Sequence, residues 1–198
     1  MKVVHLSTSD RGGAGIAASR LHLSLLDKGV DSWFLTLHKF TDDLPQHVKY
    51  LPGDGALFPV IKNGIQKFKR VLRRYRFLSS RDTRLRKEHL TGRKHGFEHF
   101  SFPFSDYNLQ DHPLVKDADI IHLHWVSDGF LDYGKLFHGL QKKIVWTLHD
   151  MNPFTGGNHY EKDYDYSKYK NLLQRNISKK ISYLTGCNLK IICPSVWL

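Results

Sequence analysis

The spacing of apolar and polar positions changes several times along the chain, and each change marks an element. Residues 3–7, VVHLS, form a short β-rich run followed by the turn-like TSDRGG. From Gly13 a helical spacing sets in, with Ile16, Leu21 and Leu25 beside Ala17 and Ala18, and it stops near Gly29. A second strand is expected at 31–38, DSWFLTLH. Strand, glycine loop, helix and strand in that order predict a βαβ unit with a right-handed crossover. Further on, ADIIHLHW (118–125), KIVWTLH (143–149) and LKIICPS (189–195) read as strands. ADIIHLHW reads as buried, and the near-continuous apolar run of KIVWTLH is the pattern of a parallel strand covered on both faces. Helices are expected at 129–140 and 166–184, and an edge strand at 97–105, where Pro103 argues against a central position. The pattern predicts an α/β fold, an open parallel β-sheet wrapped by helices, as a single domain over residues 1–198.

A second helical pattern interrupts this order. Ile61, Ile65, Phe68, Leu72 and Tyr75 recur at the spacing of one helix face over 58–78, and lysines and arginines fill the other face. Residues 79–96 are polar and basic and read as a loop, so the whole of 58–96 is treated as a basic insertion. Residues 62–94 carry thirteen Lys and Arg against Asp82 and Glu88, which accounts for the whole net charge of +11. The remainder of the chain is neutral. No apolar run approaches the roughly 20 residues that span a bilayer, and the first residues, MKVVHLSTSD, lack a signal peptide's apolar stretch. A cytoplasmic location is the expectation. Cys187 and Cys193 are the only cysteines, and their spacing suits neither a disulfide framework nor a zinc motif.

Ligands of open α/β sheets bind beyond the carboxyl ends of the strands. Four loops lie there: STSDRGGAG, HLHWVSDG, HDMNPFTGG and PSVW. In the first, Gly13-x-Gly15-x-x-Ala18 matches a dinucleotide fingerprint. Two features oppose it: about five residues separate the strand's end from Gly13, and the second strand is followed by no acid until Asp42. What remains is a glycine loop, Gly12 and Gly13, whose amides and helix N-terminus favour an anion such as phosphate. His122 and His124 alternate along a strand and face one way. A third metal ligand is not evident near them, so no metal site is assigned. Trp125 suits either stacking on a sugar or a core position. His149 and Asp150 follow a strand directly: the imidazole can donate, accept or act as a base, and the carboxylate can orient it. Gly156 and Gly157 keep the next loop thin enough for a ligand or second domain to come close. No nucleophile elbow, P-loop or Cys-His pairing occurs, which removes kinase, hydrolase and protease readings.

Taken in order, GGAGIAASRLHLSLLDKG, ADIIHLHWVSDGFL, VWTLHDMNPFTGGNHY and KIICPSVWL resemble the N-terminal half of a GT-B glycosyltransferase. The likeness is to the family-4 retaining enzymes of bacterial envelope, capsule and lipopolysaccharide synthesis. It covers residues 1–38 and about 118–198. The resemblance implies two facing Rossmann-like domains. The N-terminal one meets the acceptor, and a C-terminal donor-binding domain, with two glutamates eight positions apart, is absent from this chain. It implies sugar transfer with retention from a nucleotide-sugar to a glycan or lipid-linked acceptor, with no metal or other cofactor. This half alone is then expected to be inactive. By the same resemblance Gly12 and Gly13 meet the donor's phosphates or the acceptor. His149 contacts the transferred sugar, Asp150 stands beside the acceptor, and His124 and Trp125 line the acceptor side. Asn158 stands where related sequences often have cysteine, while His159 and Tyr160 remain.

A lipid-linked acceptor would give the basic segment a role. A helix with an apolar face and with Lys67, Lys69, Arg70, Arg73 and Arg74 opposite it suits the anionic inner face of a membrane. Two other classes compete. A non-catalytic module binding nucleic acid or membrane fits the charge, but no RNA-binding or helix-turn-helix motif accompanies it. A nucleotide-dependent oxidoreductase fits the glycine loop but lacks the ribose-binding acid.

Overall fold

The computed structural model describes residues 1–51, 81–90, 99–138, 140–160 and 166–194. The helix expected at 58–78, with Lys67, Lys69, Arg70, Arg73 and Arg74, lies outside them. The strands are β1 (Lys2–Ser9), β2 (Asp31–His38), β3 (His47–Lys49), β4 (Ile120–Leu123), β5 (Lys143–Thr147) and β6 (Leu189–Ile192). They form one sheet in the order β3-β2-β1-β4-β5-β6, and every pairing is parallel. The α/β parallel architecture expected from the apolar runs is therefore present. The chain moves outward from β1 on one side through β2 and β3, then returns to β1's other side with β4. That reversal puts a switch point between β1 and β4, where a crevice opens at the carboxyl ends.

The two faces of the sheet differ in chemistry. One carries Val4, Leu6, Leu35, Ile121, Leu123, Ile144 and Trp146, all buried in the main core with Phe130, Leu131 and Leu136. Burying each large apolar side chain contributes about 1.5–3 kcal/mol. The other face mixes Val3 and Phe34 with the polar His5, Ser32, Thr36 and His122, all buried as well. Helix α1 (Gly12–Asp27) packs on this mixed face through Gly15, Ala18 and His22. His22 reaches Ser32 Oγ and the Pro45 carbonyl, each at 2.8 Å. Of the apolar residues in the expected helical pattern, Ala18 is buried and Leu25 half-buried, but Ile16 is 48% and Leu21 37% exposed. Gly15 is required by the turn that leads into the helix, whose backbone lies against it. A Cβ on Gly15 would stand 2.5 Å from the Asp10 carbonyl carbon.

Several other expectations change. Strand β1 runs on to Ser9, so only Asp10 and Arg11 separate it from α1, and the long gap read from the sequence does not exist. Residues expected to be loop form helix α2 (Arg81–His89). The edge strand expected at 97–105 is reduced to one antiparallel bridge, Phe100 to Asn158. Phe100, Phe102 and Phe104 instead build a second small core with Tyr169 and Leu173. In place of a helix at 129–140 there is a five-residue π-turn, Gly134–His138. Helix α3 (Pro113–Asp117) and strand β3 were too short to leave a periodic signal. Helix α4 (Tyr166–Leu184) has the expected bounds. No helix among the described residues is long and apolar enough to cross a membrane.

Candidate functional site at the carboxyl edge of the sheet

The loops after β1, β4 and β5 are tied together at the edge. Thr8 N–H donates to the Trp125 carbonyl at 2.7 Å, and Thr8 Oγ1 donates to the Ser127 carbonyl at 2.8 Å. Trp146 Nε1 on β5 donates to the His124 carbonyl at 3.1 Å. These bonds hold His124 and Trp125 against the end of β1 and beside the exit of β5. Because β4 and β5 are neighbours in register, His149 arrives next to His124, with Nε2 3.4 Å from His124 Nδ1.

His149 is half-buried. Burial holds its imidazole below the ordinary histidine value, and the Asp150 carboxylate opposes that pull. A neutral ring at this edge keeps one lone pair and one N–H for a ligand. Asp150 behaves differently. It is 5% exposed, and its oxygens are occupied from inside the protein. Oδ2 accepts from Trp125 Nε1 at 2.8 Å and from His159 Nδ1 at 2.5 Å, and Oδ1 accepts from Asn152 N–H at 2.9 Å. The pair expected to act together divides: His149 is half-exposed with one long contact to His124, and Asp150 holds its loop in shape. Trp125 is half-buried, with its indole N–H committed to Asp150.

The loop's other partners were not singled out in the sequence. His159 Nε2 lies 3.0 Å from Ser101 Oγ, so residues 58 positions apart close on each other. Lys180, on α4 and 2% exposed, donates to the Asn152 carbonyl at 2.5 Å and to Asn152 Oδ1 at 3.2 Å. Burial pushes this lysine down to about 7 against the pull of Asp150. The only hint in the sequence was a lysine at an inward-facing helical position, which reads equally well as a solvated one. A cavity of about 10 Å³ lies between Ser101, His124, Trp125, His149, Asp150 and Asn152. It has room for about one water. A larger ligand must bind at its mouth.

The glycines divide too. Gly12 has φ +74°, and a Cβ there or on Gly13 would meet open space. The α1 N-terminus has no side-chain cap and no acid in its first turn, which leaves its amides and its positive dipole end for an anion. Gly156 and Gly157 do not face a ligand. A Cβ on Gly156 would lie 2.4 Å from Leu173 Cα, and one on Gly157 2.3 Å from the Phe100 ring. The close approach expected of them is made by α4 and Phe100, within the same chain.

His122 and His124 do share a face, with ring centroids 4.3 Å apart. The third histidine that the sequence did not reveal is His5, opposite His122 in the β1–β4 register. One nitrogen from each of the three lies within 4.8 Å of the others.

No protein-family model matches the chain, and no curated protein is significantly similar to it.

Proposed function

We propose that this chain is the acceptor-side half of a retaining glycosyltransferase. The enzyme moves a sugar from a nucleotide-sugar to a glycan or lipid-linked acceptor of envelope polysaccharide synthesis. The observation that carries the reading is His149: a half-buried imidazole, kept neutral, at the carboxyl end of the strand next to β4. Two features support it. The strand order reverses between β1 and β4, the place where α/β sheets take ligands. The uncapped N-terminus of α1, with Gly12 and Gly13 open to the outside, lies at the same edge and suits a phosphate.

In this reading His149 exchanges hydrogen bonds with hydroxyls of the transferred sugar. His124 stands behind it, and the edge of Trp125 offers a flat surface to the acceptor. Asp150 takes no part in proton transfer; it fixes the loop on which His149 stands. The donor's nucleotide is held by a facing domain, and Lys67, Lys69, Arg70, Arg73 and Arg74 keep the enzyme on anionic lipid near its acceptor.

The test is His149→Ala in the complete enzyme, assayed against a panel of nucleotide-sugars. Turnover should fall at least about a hundredfold, the scale of a lost acid–base or positioning group, with Tm lowered by no more than about 4 °C. Near-normal turnover would remove the reading.

A further inference from the structure

The transferase reading leaves one feature of the sheet unexplained: three imidazoles buried side by side across β1, β4 and the residue that follows β4. His5, His122 and His124 are 0%, 6% and 3% exposed. They occupy positions where parallel strands ordinarily carry valine or isoleucine. No carboxylate belongs to the group, so nothing there would balance a protonated ring. Burial accordingly holds all three below the ordinary histidine value, His122 at about 4. Near neutral pH each ring is neutral and keeps a lone pair.

The hydrogen bonds of the group are incomplete. His5 Nδ1 lies 3.1 Å from His124 Nε2, and His122 Nε2 lies 2.8 Å from Thr147 Oγ1. His5 Nε2 is fully buried with no partner, a condition that costs about 1–3 kcal/mol in a finished core.

We propose that His5, His122 and His124 form a binding site for a divalent transition-metal ion, with zinc the ion that the donor set suits best. The inference stands independently of the transferase reading. Three neutral imidazoles with no thiolate and no carboxylate suit zinc and its neighbours rather than magnesium or calcium. A zinc–nitrogen bond of roughly 2.0–2.1 Å implies ligand nitrogens about 3.3 Å apart. The His5–His124 pair already stands at 3.1 Å, and the whole set closes within 4.8 Å, so side-chain shifts of about an ångström complete it. Outer partners are in place as well. Thr147 Oγ1 meets His122 Nε2, and His149 Nε2 lies 3.4 Å from His124 Nδ1. An ion taken by the His124 nitrogen that faces His5 leaves the proton on Nδ1, directed at His149. Metal would then fix the tautomer of both rings.

The experiment uses the full chain after chelator treatment and dialysis. Zinc content is measured by mass spectrometry after re-addition, cobalt binding by visible absorption, and imidazole 15N shifts by long-range NMR correlation. One equivalent of metal is expected, with visible cobalt bands but no thiolate charge-transfer band. Three buried imidazoles should move on zinc addition. His5→Gln and His122→Gln, checked by circular dichroism, should each weaken binding at least about tenfold, whereas Cys193→Ser should not. Binding well below one equivalent overturns the proposal. So does undiminished binding in a folded His5→Gln or His122→Gln variant. If those variants do not fold, the wild-type imidazole spectrum decides: movement confined to exposed rings such as His38 and His99 also overturns it.

Discussion

A single oxygen of Asp150, Oδ2, accepts hydrogen bonds from both Trp125 Nε1 at 2.8 Å and His159 Nδ1 at 2.5 Å. The three residues come from the loops after β4 and β5, and this oxygen joins those loops beneath His149. Removing the carboxylate leaves Trp125 Nε1, His159 Nδ1 and the Asn152 N–H without their acceptor. Asp150→Ala should therefore destabilise the fold by about 3–5 kcal/mol, read as a shift of the urea midpoint. Asp150→Asn, which keeps the shape, should cost less. His149→Ala should cost under about 1 kcal/mol, since its ring is half-buried and makes one long contact. Equal costs for the two residues would contradict the division of roles.

Lys180 makes stability depend on pH. Its folded value, about 7, lies below the ordinary lysine value of 10.5. Between those limits the unfolded chain binds the proton and the folded chain does not, so stability rises with pH; below about 7 both states are charged and the contribution is flat. The unfolding free energy from urea titration should climb from pH 7 to about 9.5, by up to about 1.4 kcal/mol per pH unit. Lys180→Met should flatten that climb. An equally steep profile in Lys180→Met would assign the effect to other groups.

Gly13 and Gly15 should respond oppositely to alanine. Gly15→Ala drives a Cβ to 2.5 Å from backbone of Asp10, and a loss of about 1–3 kcal/mol or more is expected. Gly13 is helical with open space around it, so Gly13→Ala should stabilise by about 0.5–1 kcal/mol. If a phosphate docks on this turn, Gly13→Ala will also weaken nucleotide-sugar binding. Thermal unfolding with and without ligand separates the two effects.

Gly157, at φ +145° and with Phe100 where its Cβ would be, should not tolerate alanine. A loss of at least about 2 kcal/mol is expected in urea unfolding. Phe100→Ala added to Gly157→Ala should recover part of the loss by making room, but not the part due to backbone strain. No recovery would mean that steric contact with the ring is not the cause.

The primary structure determined the strands, because a parallel strand buried on both faces must be apolar or small nearly throughout. VVHLS, ADIIHLHW and KIVWTLH each became strands of the central sheet, and α4 kept its expected bounds. It also marked the loops where His149 and Gly12 stand. Which residues meet across the sheet was decided only in three dimensions. His5 joins His122 through the β1–β4 register across 117 positions, and no local spacing records a register. The same holds for Asp150: beside His149 in the chain it reads as a partner in chemistry, and only folding delivers Trp125 and His159 to its carboxylate. Gly156 and Gly157 looked like an opening for a ligand until α4 and Phe100 filled the space. Helix α1 misled for a related reason. Its apolar stripe was visible, but the sheet face beneath it sets buried histidine, serine and threonine beside Val3 and Phe34, and Gly15, Ala18 and His22 are the residues that pack. Local pattern sets the period of an element; the surface it lands on sets which side is buried.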